Sequence, residues 1–302
     1  MKPKAIVVEN LYKYIKNKTI LNNVNLSIEK GTFVAIVGCS GAGKTSLIKV
    51  LSGYSSFDKG QAYIENINIK KNLKYLKGKI GYVPQTEILD STLTLFNSLY
   101  YSLNLRINKI DKSRATKIIN NILKLFELEN CKNTLIKNLS GGERKRASIA
   151  TEMLSNPNIF LLDEPTSSLD ANIEKKLMLK LKELTTIGKT VVITAHTISN
   201  LHLCDKIIFM GNNGKICYDG RYEDIFDHFK VEEFVDIYDL LKNNTDFWCE
   251  KHLKKIKNNS KTIKEKTNKK NIKFSFLKQT KTLIKRYTSS LFNNKFMLTL
   301  LL

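Results

Sequence analysis

The stretch Phe33 to Lys49, FVAIVGCSGAGKTSLIK, constrains the fold of this chain more than any other. It opens with a short apolar run, Phe33 to Val37, bounded like a buried strand. Gly38-Cys39-Ser40-Gly41-Ala42-Gly43-Lys44-Thr45 follows, a full match to G-x-x-x-x-G-K-[ST]. Leu47, Ile48 and Leu51 then recur at helical spacing. Strand, glycine-rich loop and helix in that order are the context in which the motif cradles a polyphosphate. Gly38, Gly41 and Gly43 let the backbone bend and bring its N–H groups close to the anion. The helix N-terminus adds unpaired N–H groups and partial positive charge. Lys44 supplies a point charge for the β- and γ-phosphates, and the Thr45 hydroxyl is placed for Mg²⁺. The competing reading is a glycine-rich turn followed by a chance Lys-Thr; the partner motifs further along weigh against it.

The remaining strands and helices can be placed around this core. Ala5 to Val8 and Leu21 to Ile28 read as strands, and Ala62 to Ile69 as an edge strand after Lys59-Gly60. With no long helix between them, they predict an antiparallel β flank. Ile80 to Val83 is a short strand leading to Pro84-Gln85, and about Thr92 to Glu129 is helical by pattern. Leu139-Ser140-Gly141-Gly142-Glu143 then opens a second helix with exposed N–H groups. Ile159 to Leu162 is a buried strand ending in Asp163-Glu164. Adjacent carboxylates beside a phosphate loop point to a Mg²⁺ ligand and a general base. Two solvated acids would be the reading if the pair stood alone. Ala171 to Gly188 is an amphipathic helix with Ile173, Leu177, Leu181 and Leu184 on one face. Thr190 to Thr194 is a further core strand, and His196 stands just beyond it, at the edge where ligand sites of parallel sheets open. Lys206 to Met210 and Lys215 to Tyr218 flank the turn Gly211 to Gly214.

Composition narrows the class further. The chain has 302 residues, 42% of them hydrophobic, enough for a large domain with an appendage. Its five cysteines are scattered without a C-x-x-C pair, which suggests neither a disulfide framework nor a zinc site and fits a reducing compartment. The N-terminus lacks the apolar run of a signal peptide. The net charge of +22 is concentrated toward the end: Lys242 to Arg286 carries fifteen Lys/Arg against three Asp/Glu. Such a tail suits nucleic acid or an anionic membrane surface, or is a solvated Lys/Asn-rich linker.

Taken together the motifs resemble the nucleotide-binding domain of an ATP-binding-cassette (ABC) transporter. The matching pieces, over about residues 5 to 230, are GCSGAGKTS (Walker A), GYVPQ (Q-loop), LSGGERKR (signature), IFLLDEP (Walker B), SSLD (D-loop) and TAH (H-loop). Within the superfamily the chain is most similar to the white/pleiotropic-drug-resistance group, the G subfamily. The clues are STLTLFNSLYYSLNLR, SGGERKRASIA, LLDEPTSSLD, and ICYDG followed by IFDHF. The resemblance implies an α/β P-loop NTPase core with a mostly parallel sheet, an antiparallel β flank, a helical subdomain and a C-terminal amphipathic helix. It implies an ATPase using ATP and Mg²⁺. Gly38 to Thr45 and Ser46 would bind phosphate, and Thr45, Gln85 and Asp163 would hold Mg²⁺. Glu164 would be the general base and His196 a switch at the γ-phosphate, with Gln85 sensing the attacking water. Ser140, Gly141, Gly142 and Glu143 would act on ATP held by a second nucleotide-binding domain, with Asp170 near that interface.

Three positions depart from the pattern. The adenine-stacking aromatic falls near Ile15, so that Tyr14 substitutes for it or stacking is absent; Thr197-Ile198 replace the Gln-Pro usual after the His; and Ser168 stands where Gly is usual.

In the tail, Phe276, Leu277, Thr280, Leu283, Ile284, Tyr287 and Leu291 trace an apolar stripe, with Lys278, Lys281, Lys285 and Arg286 mostly off it. That pattern suits a helix at a membrane interface, the alternative being a helix packed on the protein's own core. Phe296 to Leu302 is far shorter than the ~20 apolar residues that span a bilayer, and reads as the cut-off start of a first transmembrane helix. The expected division is therefore 1–240 for the ATP-binding domain, 241–273 for a basic linker, and 274–302 for a connecting helix and the start of a membrane domain. The expected function is ATP hydrolysis powering transport, on the cytoplasmic side of a membrane. The expected partners are a second such domain, a transmembrane domain and the membrane surface, with no nucleic acid. Alternatives are a stand-alone ATPase subunit, or a soluble RNA-binding ABC protein.

Overall fold

A computed structural model describes residues 3–107, 110–196, 198–257 and 276–293. β1 (Lys4–Ile15) and β2 (Lys18–Glu29) form a long antiparallel pair through a turn at Lys16 and Asn17. β3 (Phe33–Gly38), buried along its whole length, leads into α1 (Lys44–Leu51). β4 (Lys59–Ile64) and β5 (Ile67–Asn68) make a hairpin, followed by the short α2 (Ile69–Asn72) and by β6 (Ile80–Val83). Three helices come next: α3 (Leu95–Arg106), α4 (Lys112–Leu125) and α5 (Gly141–Met153). Then follow β7 (Ile159–Leu162), α6 (Ala171–Thr186), β8 (Thr190–Thr194), β9 (Lys206–Met210) and β10 (Ile216–Gly220). The last helices are α7 (Ile225–Phe229), α8 (Phe234–Lys257) and α9 (Phe276–Asn293).

The chain divides into two compact units. The first comprises Met1–Gln85, Asn158–Ser167 and Glu174–Lys270. It contains a four-stranded antiparallel sheet, in the order β2-β1-β4-β5, and a six-stranded sheet, in the order β10-β9-β3-β8-β7-β6. In the larger sheet only β10 runs antiparallel to its neighbour. The α/β reading with a mostly parallel sheet and an antiparallel flank is what the chain adopts. Side chains alternate across a strand, so β3 turns Val34 and Ile36 into a core shared with Leu11, Val24 and Ile64 of the antiparallel sheet and with Leu47 and Ile48 of α1. The expected strand over Ala62 to Ile69 is instead broken. Glu65 and Asn66 take left-handed backbone (φ 48° and 65°) and form the β4–β5 turn, because Asn tolerates that conformation better than most residues.

α8 crosses residue 240 without a boundary. It packs along β10, with Ile237, Leu241, Trp248 and Cys249 buried and a local break at Asn244. Trp248 joins Phe229 and His228 in an aromatic cluster (ring centroids 4.9 and 5.5 Å). Residues 241–257 are therefore folded as part of this unit, while 258–275 and the apolar run 296–302 lie outside the described residues.

The second unit comprises Thr86–Pro157, Ser168–Ile173 and Asn271–Leu302. Here α3, α4 and α5 enclose Leu99, Leu103, Ile119, Leu123 and Ile149. α3 and α4 start on side-chain caps from Thr94 and Asp111, which satisfy N–H groups the helices leave open. α9 lies along α3.

The α8 packing makes a sharp contrast between neighbours. Trp248→Ala should lower unfolding stability by about 3–5 kcal/mol, as removal of a large buried aromatic does. Phe247→Ala, at a side chain 62% exposed, should stay within about 0.5 kcal/mol of the parent. Urea midpoints of the two variants test this; equal midpoints would remove α8 from the folded unit.

Candidate nucleotide site

The end of β3 decides the shape of the site. Gly38 has φ 152°, and a Cβ there would stand 2.2 Å from the Met210 carbonyl oxygen. Only glycine lets the loop leave the sheet against β9 at this point. Gly43, the N-cap of α1, has φ 95°, and a Cβ on it would lie 2.8 Å from the Ile20 carbonyl oxygen. Between these two residues the loop curls around the Lys44 ammonium, which donates to the carbonyl oxygens of Gly38 (2.7 Å) and Cys39 (3.0 Å). Burial pushes the Lys44 pKa below its ordinary value, while Glu164, Cys39 and Asp163 oppose the shift.

The other groups arrive from the ends of parallel strands. Asp163 follows β7, and its Oδ1 accepts from the hydroxyls of Thr45 (3.0 Å) and Thr194 (2.8 Å). Glu164 is buried and left-handed (φ 51°); its backbone N–H donates to Thr194 Oγ1 at 2.8 Å. Its carboxylate accepts from Gln85 Nε2 at 2.8 Å, and its other oxygen lies 2.6 Å from His196 Nε2. The sequence-predicted Gln85, Asp163, Glu164 and His196 thus converge beside Lys44 and Thr45.

A cavity of about 790 Å³ opens over this cluster. Ser40 to Ser46, Gln85, Glu164 and His196 line one part, and Lys18, Thr19, Ile20, Asn212 and Asn213 the other. The last five were not singled out from the sequence, and neither was Thr194. Thr194 could have been noticed as a polar residue ending an otherwise apolar strand. Of the other five, Lys18 to Ile20 open β2 and Asn212 and Asn213 lie in the turn between β9 and β10; neither stretch carries a motif.

Ser140, Gly141, Gly142 and Glu143 belong to the second unit. They start α5 with a capping box: Glu143 N–H donates to Ser140 Oγ (3.3 Å), and Ser140 N–H donates to Glu143 Oε2 (2.8 Å). The Cys131 thiol donates to the other carboxylate oxygen at 3.0 Å. That contact is the main cause holding the Glu143 carboxyl below its ordinary pKa. Around Gly141 there is open space, whereas a Cβ on Gly142 would press Ile173 at 3.1 Å. Asp170 accepts from the Ile173 N–H at 3.0 Å. Ser168, where Gly is usual in the resembled family, is left-handed at φ 63°, a conformation that costs a non-glycine residue about 1–3 kcal/mol.

A phosphate loop between a parallel strand and a helix, faced by a carboxylate pair from β7, one strand beyond β8 in the same parallel sheet, defines a P-loop nucleotide-hydrolysing domain. Comparison with known proteins narrows the class. The ABC transporter family model matches residues 21–167. The chain is 32% identical over 251 residues to the ABC transporter ATP-binding protein MJ1572 of Methanocaldococcus jannaschii, covering 78% of this chain and 88% of that one. It is 36% identical to ABC transporter G family member 22 of Arabidopsis thaliana, over 74% of this chain. It is 31% identical to the ABC transporter ATP-binding/permease protein Rv1747 of Mycobacterium tuberculosis, over 76% of this chain. The chain spans only 30% and 27% of the lengths of those last two relatives. Among solved structures, the dimeric ATP-binding cassette MJ0796 in a post-hydrolysis state, bound to ADP and Pi, superposes with a TM-score of 0.67. It is 31% identical and covers 72% of this chain and 98% of that one. The chain belongs to the ABC transporter ATP-binding family and is an ATPase domain of that family.

Thr194 ties both acids to β8, through the Asp163 carboxylate and the Glu164 backbone N–H. Thr194→Val keeps the shape but removes a donor to Asp163 and an acceptor for the Glu164 N–H, leaving buried groups unpaired. The variant should lose about 1–3 kcal/mol of stability and most of its ATPase kcat, with the KM for ATP little changed. Steady-state phosphate release and a urea titration check both effects.

Proposed function

We propose that the chain is the ATPase part of a G-type ABC half-transporter, hydrolysing ATP between two such domains to drive transport from the cytoplasmic side of a membrane. The observation that carries the chemistry is the Glu164 carboxylate, buried beside the phosphate loop and touching both Gln85 and His196. Phosphoryl transfer to water needs positioning and charge stabilisation more than covalent chemistry. Lys44 and the loop N–H groups bind the β- and γ-phosphates. Glu164 accepts the proton of the attacking water. His196 and Gln85 hold that carboxylate and orient the water on it.

The donor set also fits Mg²⁺. A hydroxyl and a carboxylate oxygen 3.0 Å apart, Thr45 Oγ1 and Asp163 Oδ1, are hard ligands of the kind this ion takes alongside phosphate oxygens. Thr45, Asp163 and Gln85 would hold it, and the ion supplies neutralisation of phosphate charge.

The membrane side of the proposal is supported by α9. Its inward face is polar: Lys278 donates to the Ile107 carbonyl (2.9 Å), Ser289 pairs with Tyr101 (2.7 Å) and Ser290 with Thr92 (2.6 Å). Its apolar stripe faces outward, with Leu277 81% and Tyr287 63% exposed. No helix among the described residues is long and apolar enough to cross a membrane. Relatives in which an ATP-binding region is one part of a longer permease chain support the half-transporter reading. The archaeal ATP-binding protein, 88% of which this chain covers, supports a second reading, a separate ATPase subunit.

Two measurements test the proposal. Glu164→Gln should keep ATP bound without hydrolysing it, because an amide cannot accept the water's proton. With Mg-ATP, and not ADP, the variant should form a dimer by light scattering at high concentration. Adding Ser140→Arg should abolish that dimer; a double variant that still dimerises removes the signature stretch from the ATP interface. Separately, the chain should sediment with vesicles containing phosphatidylserine and much less with phosphatidylcholine alone. Leu283→Asp/Ile284→Asp should release it. Equal binding to both lipids, or none, would assign α9 no membrane role.

A further inference from the structure

Taken as the ATP site, the reading on which this inference rests, the cavity has an unusual lining at its nucleoside end. The start of β2 and the turn at Gly214 flank the loop at Gly43: a Cβ there would meet the Ile20 carbonyl at 2.8 Å and the Gly214 Cα at 3.4 Å. Asp163 approaches the loop from Thr45, and Glu164 follows it in the chain. A triphosphate lying on the loop with its terminal phosphate at Glu164 therefore extends its nucleoside toward Lys18–Ile20 and Asn212–Asn213. The one aromatic ring among the described residues lining the cavity is His196, which sits at the other end against Glu164; none lines the nucleoside end. Tyr14, the nearest substitute in sequence, is 40% exposed, stacks on Tyr12 with centroids 6.4 Å apart, and is not part of the cavity wall. Base stacking on an aromatic ring changes affinity by roughly tenfold or more per base, and this wall offers no such ring.

What it offers are carboxamides. Asn212 is pinned to α8: its N–H donates to Thr245 Oγ1 (3.1 Å) and its Nδ2 to the Lys242 carbonyl (3.1 Å). Asn213 stands at the tip of the turn, exposed, with left-handed backbone (φ 56°). A carboxamide carries one acceptor oxygen and two N–H donors, and half a turn exchanges them. Adenine presents a donor beside an acceptor on its pairing edge, and guanine presents the reverse order. A rotating amide matches either. Strong discrimination requires buried polar groups that the wrong substrate leaves unpaired, and an exposed amide is solvated in both cases.

We propose that this end of the site recognises the base through hydrogen bonds to its edge from Asn213, beside the Thr19 wall, and not by stacking, so that the domain uses GTP as well as ATP.

The test is steady-state phosphate release by the whole chain with each nucleotide, together with displacement of trinitrophenyl-ATP to give affinities independent of turnover. The expected result is a kcat/KM for GTP within about threefold of that for ATP. Asn213→Ala should raise both KM values by roughly two- to tenfold, the scale of one hydrogen bond, with kcat unchanged. Thr19→Tyr should tighten both nucleotides about tenfold by supplying the missing ring. Lys18→Tyr, at an exposed position, replaces it if Thr19→Tyr does not fold. GTP binding at least tenfold weaker than ATP, in a protein whose ATP turnover is lost in Lys44→Ala, overturns the inference and leaves the ATP site standing. A ring at position 18 or 19 that alters neither affinity also overturns it. Failure to bind either nucleotide, or full activity in Lys44→Ala, overturns the site assignment itself.

Discussion

A lysine ammonium nearly shut off from solvent must be surrounded by oxygen, and much of this structure follows from meeting that requirement at Lys44. Its two backbone acceptors, the carbonyls of Gly38 and Cys39, face it only if the chain reverses immediately after β3. That reversal needs a glycine at 38, because β9 brings the Met210 carbonyl into the space a side chain would fill. β9 lies there because it pairs in parallel with β3, Gly38 opposite Met210. A local demand on one side chain thus reaches into strand order and register.

The same sheet register brings the acids to the loop. β7 and β8 pair with Leu162 opposite Ile193, so the next residues, Asp163 and Thr194, emerge side by side and bond at 2.8 Å. Thr194 also takes the Glu164 N–H. That bond helps offset the left-handed backbone at Glu164, which costs a side-chain-bearing residue about 1–3 kcal/mol. Strain of this kind persists where surrounding contacts over-determine it, and here the contacts are a hydroxyl, an amide and an imidazole. Losing any one would leave the carboxylate buried but less fixed in direction.

Much of this was legible in the sequence because the constraint acts on consecutive residues. The phosphate loop, the carboxylate pair and the flanking buried strands are local patterns whose physical reason lies within a few positions. The rest was less legible because it depends on residues distant in the chain. Thr194 matters only because β8 lies beside β7. Lys18–Ile20 and Asn212–Asn213 meet because the hairpin at Gly214 lies against β2, at a distance no spacing rule encodes. The β4–β5 turn was read as strand because Ile64, Ile67 and Ile69 are apolar at either end of a two-residue interruption. The reach of α8 past residue 240 was obscured by basic residues on its exposed side, although Leu241, Trp248 and Cys249 are its buried positions.

α9 shows the same limit in its clearest form. Periodicity finds an amphipathic helix but cannot say which face is inside. The usual expectation, apolar face inward, follows from burial as the main source of helix packing energy. Here Thr282 is the buried residue, and serine, asparagine and lysine side chains make the contacts to α3 and to the residues on either side of it. Each neutral hydrogen bond contributes only about 0.5–1.5 kcal/mol net, so the helix is oriented by several weak, directional contacts instead of by a large buried area. Such a contact fixes rotation about the helix axis tightly, because turning the helix breaks all the bonds together, yet it buries little apolar surface. The apolar stripe, with Lys281 and Lys285, is left outward by geometry. An element held in this way keeps its hydrophobic surface available to the surroundings, whereas an inward-packed helix of the same composition would have consumed it.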